Sequence, residues 1–286
     1  MLQAEDLRIT FNPGTPIETR ALRGMSFEIP SGQFVTVIGS NGAGKSTLLN
    51  AISGETAVDS GRVAIDGVDV TRQGVWQRAE KVARVFQDPM AGTCEDLTIE
   101  ENMALARQRG ERRGLGRAVR ASMREGFRER LATLGLGLEN RLGDRIGLLS
   151  GGQRQAVSLL MAALRPSRIL LLDEHTAALD PRTAGFVLEL TARIVAENRL
   201  TALMVTHSMR QALDVGERTL MLHQGRVVLD VGGEPPRHAG ARPARPVRPQ
   251  ARRATGRRRS SAGLTTRLTS RGGIFAKHHG TGSAGP

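Results

Sequence analysis

Short runs of the chain alternate apolar and polar positions from the start. Asp6-Leu-Arg-Ile-Thr-Phe11 and Met25-Ser-Phe-Glu-Ile29 keep a period of two, with Asn12-Pro-Gly14 between them and Pro30-Ser-Gly32 behind, so residues 4–38 predict short strands joined by turns. Arg62-Val-Ala-Ile65 and Val68-Asp-Val70 flank Asp66-Gly67, which predicts a hairpin. Apolar runs at 35–38, 82–86, 168–172 and 201–205 have strand length and too few polar positions for a half-exposed sheet. Helical patterns fall between them: from Thr47 to Ile52, from Ser150 to Leu164, from Pro181 to about Asn198 and from Met209 to Val215. Two closing strands are expected around 219–222 and 227–229. Strands alternating with helices predict an α/β fold, a mainly parallel sheet covered on both faces, with the N-terminal strands in a separate antiparallel subsheet.

Two stretches break that rhythm. From about Leu97 to Leu149 the chain is rich in Ala, Met, Leu, Glu and Arg, with glycine breaks at 114, 116, 135 and 137, and reads as a helical insertion. Its Arg107-Gln-Arg-Gly-Glu-Arg-Arg113 run is read as a solvated helix end or loop, with contact to lipid head groups as the alternative. From Gly232 onward Pro, Arg, Gly, Ser, Ala and Thr take over and no periodicity survives, which predicts a disordered tail over 232–286. A basic segment that binds RNA or anionic lipid, and a product of out-of-frame translation, are the other readings of that tail.

Composition narrows the picture. Hydrophobic residues make up 39% of the 286 and aromatics only 3%, with one Trp and no Tyr, so aliphatic side chains must fill the core. The single cysteine, Cys94, excludes an intramolecular disulfide and suits a reducing compartment. No basic stretch leading into an apolar core opens the chain and no apolar run approaches the ~20 residues of a spanning helix, so a soluble, cytoplasmic protein is expected. The net charge of +13 points toward nucleic acid until it is located. Residues 232–286 hold twelve Lys/Arg against one acid, Glu234, so the body carries only +2 and no nucleic-acid partner is expected of it.

The chemistry begins at Gly39, where G-x-x-x-x-G-K-S runs to Ser46. A buried strand delivers the loop Gly39-Ser-Asn-Gly-Ala-Gly44, whose backbone N–H groups can close on phosphate oxygens where Gly42 and Gly44 lack a Cβ. Lys45 brings a point charge to the β- and γ-phosphates, the Ser46 hydroxyl is a ligand for Mg²⁺, and the helix from Thr47 turns its positive end to the anion. Downstream, Arg168-Ile-Leu-Leu-Leu-Asp-Glu174 ends a strand in two carboxylates. That string resembles the Walker B strand of ABC-type ATPases, and the resemblance implies that Asp173 serves the metal and Glu174 polarises an attacking water.

With these strings in order, residues 1–231 resemble the nucleotide-binding subunit of an ABC transporter. Leu149-Ser-Gly-Gly-Gln153 matches the family signature and is the most specific string present. The resemblance implies a P-loop ABC-type core with a helical part at about 90–150, and ATP with Mg²⁺ as ligands. It implies a head-to-tail homodimer in which Ser150, Gly151, Gly152 and Gln153 serve nucleotide on the other copy's phosphate loop. It assigns Gln87 to metal or water, Asp180 to the dimer seam, His207 to the γ-phosphate, and Phe11 to stacking on adenine, with Phe27 and Phe34 left as core. His175 stands where most members have proline, and is expected either to be a harmless surface variant or to touch the catalytic carboxylate. An ATPase on the inner membrane face is implied, driving permease subunits, with a solute-binding protein in the complex. Ile9–Pro16 and Leu97–Asn102 look most like solute importers, amino-acid importers among them. The alternative is a soluble ABC ATPase with a regulatory or nucleic-acid-associated role through its basic tail.

Overall fold

The computed structural model describes residues 1–111 and 119–232. The calls on 112–118 and on the tail beyond Gly232 lie outside them. The described chain builds two sheets. Strands β1 (Leu2–Phe11), β2 (Thr19–Ile29), β4 (Ser60–Ile65) and β5 (Val68–Asp69) form an antiparallel sheet in the order β2-β1-β4-β5. The second sheet contains β3 (Phe34–Gly39), β6 (Val82–Val85), β7 (Ile169–Asp173), β8 (Thr201–Val205), β9 (Arg218–His223) and β10 (Arg226–Gly232), in the order β10-β9-β3-β8-β7-β6. Its pairs are parallel except β9 with β10. The strand β3 thus lies between β8 and β9, two strands from far along the chain.

The near-absence of polar positions in the central strands has a direct cause. Within β7, Ile169 and Leu171 point to one face and Leu170 and Leu172 to the other, and all four are buried. On the first face Ile169 and Leu171 join Val35, Val37, Leu203 and Val205 in a core with Leu48, Leu49 and Ile52 of α1 (Lys45–Ser53) and the inner face of the antiparallel sheet. A short α2 (Val75–Arg78) follows β5. On the other face Leu170 and Leu172 meet α5 (Gly151–Ala163) and α6 (Pro181–Asn198), and this core continues into α3 (Ile99–Arg107) and α4 (Ala121–Ala132). A last helix, α7 (Met209–Val215), joins β8 to β9.

Helix ends follow local chemistry. Thr98, Ser150, Asp180 and Ser208 each accept a backbone N–H in the first turn of α3, α5, α6 and α7. The N-terminal strands run longer than the alternating stretches suggest: β1 starts at Leu2 and β2 at Thr19, because both edges find partners that the local pattern does not reveal. Arg109 departs from the solvated reading of its run. Its guanidinium turns inward to donate to the carbonyls of Ala162 and Arg165 at the end of α5, and desolvation pulls its pKa down.

Candidate active site

The parallel strands β3, β6, β7 and β8 all deliver a singled-out residue at their carboxyl ends, the edge where open α/β sheets bind ligands. At β3 the chain leaves through Gly39 into the loop that starts α1. Gly44 caps that helix with φ +100 and offers no side-chain acceptor, unlike the four capped helices above, so the first-turn N–H groups are not taken by a cap. A Cβ on Gly44 would stand 2.7 Å from the Ala21 carbonyl oxygen and 3.0 Å from Leu22 Cδ2, so glycine is required twice over, by φ and by space. Lys45 is buried, its Nζ donating to the carbonyls of Gly39 (2.9 Å) and Ser40 (3.1 Å), which holds the ammonium inside the loop. Ser40, Asn41, Gly42 and Ser46 are exposed, Thr47 is half-buried and Ala43 is buried. The loop is braced from behind: Gly225, at the turn of the β9–β10 hairpin, donates its N–H to the Ala43 carbonyl and accepts from the Arg23 N–H.

At β7, Asp173 is buried and its Oδ2 accepts from Arg84 Nη2 at 2.6 Å. Glu174 leaves the strand with φ +44, a left-handed backbone uncommon outside glycine, and its N–H is held by the Val205 carbonyl of β8. Its carboxylate Oε1 lies 2.7 Å from Nε2 of His207, which follows β8. Two residues singled out separately in the sequence therefore meet. Thr206, one residue before that histidine, donates to Gln211 Oε1 at 2.9 Å, and Thr176 reaches the same oxygen at 3.4 Å. One amide on α7 thereby joins the loops behind the carboxylate and behind the imidazole.

Gln87 is exposed just beyond β6. The preceding carbonyl, of Phe86, accepts from Gln155 Nε2 on α5, and Asn102 of α3 ties down the loop further on through bonds to Cys94, Leu97 and Thr98. A groove of about 840 Å³ opens beside this segment, lined among others by Trp76, Phe86, Leu105 and Met161. Trp76 is 79% exposed at its rim.

Phe11 is 40% exposed at the end of β1, whereas Phe27 and Phe34 are buried. Ser150 is exposed and forms a reciprocal cap with Gln153: its Oγ accepts from the Gln153 N–H while Gln153 Oε1 accepts from the Ser150 N–H. Among the described residues no hydrogen bond joins 150–153 to the loop at 39–47 of the same chain. Asp180 Oδ1 accepts from the N–H groups of Arg182 and Thr183, and hydrogen bonds from Thr183 lower its pKa.

His175 overturns both expectations for it. It is 2% exposed, and its Nε2 lies 2.8 Å from the Thr191 hydroxyl of α6. That hydroxyl donates to the Val187 carbonyl, so His175 is the donor in the first bond and carries its proton on Nε2. Burial lowers its pKa to about 4, so it is neutral. It is a core residue, neither a surface variant nor a partner of the Glu174 carboxylate.

Sequence reasoning missed Arg84, Gln211 and Gly225. For Arg84 a signal existed, a lone charge inside the apolar run Val82-Ala-Arg-Val85. Gly225 owes its place to partners remote in the chain, and Gln211 to a near partner, Thr206, together with a remote one, Thr176.

The donor set at the sheet edge fits a metal that arrives with phosphate. Among the described residues no three His, Cys, Asp or Glu side chains cluster as a resident metal would need. One carboxylate (Asp173), one hydroxyl (Ser46) and one amide (Gln87) instead suit Mg²⁺, which takes few protein ligands alongside substrate phosphates.

Known proteins resemble this chain in sequence and in fold. A family model described as ABC transporter matches residues 22–177. The tyrosine transport ATP-binding protein of Clostridioides difficile is 46% identical over 233 residues, spanning 81% of this chain and 92% of that protein. The aliphatic sulfonates import ATP-binding protein of Agrobacterium fabrum is 33% identical over 213 residues, with 74% of each covered. Among solved structures, an ATP-binding cassette captured as a dimer in a post-hydrolysis state with ADP and Pi superposes with a TM-score of 0.69 at 28% identity, over 81% of this chain and 98% of that one.

Proposed function

We propose, on the premise that this chain belongs to the ABC transporter family, that it is the ATP-hydrolysing subunit energising a membrane importer of small solutes. The observation that carries the hydrolytic reading is the 2.7 Å contact between Glu174 and His207 on the sheet edge that also bears the phosphate loop. Residues 1–231 serve as the ATPase domain, with a helical part at about 90–150, and 232–286 as a tail.

The backbone of Gly39–Gly44 and the Lys45 ammonium bind the triphosphate, and Phe11 stacks on adenine. Ser46, Gln87 and Asp173 hold Mg²⁺, which when bound neutralises phosphate charge. Glu174 takes the proton of the attacking water, and His207 orients Glu174 and the γ-phosphate. The Ser150–Gln153 segment, exposed at Ser150 and Gly151, makes no bond to the loop of its own chain, which supports its acting on a second copy, so that two copies pair head to tail around two nucleotides. Asp180 fixes the start of α6 beside that seam.

No helix among the described residues is long and apolar enough to cross a membrane, and the membrane part of the importer is assigned to permease subunits. The groove beside Gln87, with Trp76 at its rim, is the surface we assign to a permease on the cytoplasmic face. A solute-binding protein would complete the assembly. The tyrosine transport relative favours an amino-acid cargo.

Glu174→Gln tests the core of this. The variant is expected to bind ATP with wild-type affinity, lose at least about a hundredfold in hydrolysis and stay dimeric in saturating Mg-ATP by light scattering. A variant that binds ATP and remains monomeric would sink the two-copy site.

A further inference from the structure

On β6 the alternation that sends Val82 into the core with α1 sends Arg84 to the same face, beside Leu171 and below Asp173. A guanidinium there is withdrawn from water and needs partners. It has three. Nη2 donates to Asp173 Oδ2 at 2.6 Å, and Nη1 donates at 2.8 Å both to Asn50 Oδ1 and to Glu55 Oε2. The plane also sits 4.8 Å from the Phe86 ring centroid, one residue before Gln87. Arg84 and Asp173 are only 10% and 12% exposed in their side chains, so this pair is little screened by solvent.

Asn50 is on α1, the helix whose first turn carries Lys45 and Ser46. One guanidinium therefore joins the strand that delivers Asp173 to the helix that delivers Ser46, and does so from the strand that leads to Gln87. Two of the three side chains assigned to the metal are carried by elements that Arg84 touches, and the third follows the strand that Arg84 belongs to.

We propose that Arg84 is a positioning residue for the divalent cation: by holding Asp173 through Oδ2 and tying it to Asn50, it leaves one carboxylate oxygen free and fixes that carboxylate against α1. The forked geometry is needed as well as the charge, because a lysine ammonium is a point charge that cannot span the carboxylate and the amide with a rigid plane. The inference rests on the reading that Asp173 serves the metal bound with nucleotide.

The test uses the full chain loaded with saturating ADP and titrated with Mn²⁺, the bound ion read by electron paramagnetic resonance. ADP affinity is measured separately in chelator. Arg84→Met is expected to weaken Mn²⁺ binding at least tenfold while metal-free ADP affinity stays within twofold. Arg84→Lys should fall between it and wild type, and Asn50→Ala, which spares the Arg84–Asp173 pair, should lose about threefold through the freed tie. If Arg84→Met does not fold, the Lys and Ala variants carry the decision. Unchanged Mn²⁺ affinity in the folded variants overturns the proposal. So does tighter binding, which would make Arg84 a competitor for the carboxylate, and so does a parallel loss of metal-free ADP binding, which would make it a general structural prop. Asp173→Asn is run alongside. Wild-type Mn²⁺ affinity in that variant would defeat the metal assignment itself, whereas a loss there with none in Arg84→Met would defeat only the role given to Arg84.

Discussion

His175 sits against α6 with one hydrogen bond and no charge, and pH should expose it. In the unfolded chain an imidazole titrates near its ordinary value of 6.5, while in the fold burial holds this one at about 4. Between those values only the unfolded chain takes up the proton, so stability contributed by neutral His175 is complete above pH 6.5 and is lost as the pH falls toward 4. The loss amounts to about 3 kcal/mol. Denaturant midpoints measured from pH 7.5 to 4.5 should fall for the wild type, and should fall distinctly less for His175→Leu, which removes the titrating group while Thr191 keeps its bond to Val187. Parallel profiles for the two proteins would refute it. The sequence showed that a histidine stood beside a catalytic carboxylate but not which way it faced. Its direction is set by the Thr191 hydroxyl, sixteen residues on and on another element. Arg84 announced itself only as a lone charge in an apolar run; its acceptors are brought in by the fold and could not be read.

At the scale of elements, the junction of β3, loop and α1 is the least forgiving part of the molecule. Gly44→Ala forces φ +100 on a residue with a Cβ and drives that carbon toward a backbone oxygen that cannot move aside. It should cost about 2 kcal/mol of stability and at least about tenfold in ADP affinity by calorimetry. Gly42→Ala, with φ +75 but nothing within 4 Å of the added carbon, should cost clearly less stability. Equal costs would show that strain alone, rather than crowding against Ala21, sets the penalty. Elements bounded by their own caps were legible in the sequence: Asp180 with Pro181 fixes the start of α6, and Ser150 with Gln153 that of α5. Elements bounded by distant partners were not. The true start of β2 is set by pairing with Phe11, and α2 is held by Arg78, whose guanidinium donates to the carbonyls of Ala51, Ile52 and Thr71.

For the whole molecule the question is how much of its charge belongs to its work. The body to residue 231 is close to neutral, while twelve basic residues follow it in the sequence. Removing 233–286 is expected to leave ATP turnover within about twofold of wild type, since no residue assigned to the nucleotide site lies there, and to leave the Glu174→Gln dimer intact. A large fall in turnover, or the appearance of a nucleic-acid requirement, would move the function toward the tail. The body's sheet could be anticipated because its strands are apolar on both faces, but the strand order could not, since nothing in a strand's own residues names its neighbours.

That order has a consequence for synthesis. The strand behind the phosphate loop leaves the ribosome early, yet both of its neighbours, and the Gly225 turn that braces Ala43, are made more than 150 residues later. A nascent chain holds the whole nucleotide motif long before it holds a nucleotide site. Until its last strands emerge it must keep an apolar, unpaired strand out of aggregates, and a message cut short before them yields no complete nucleotide site.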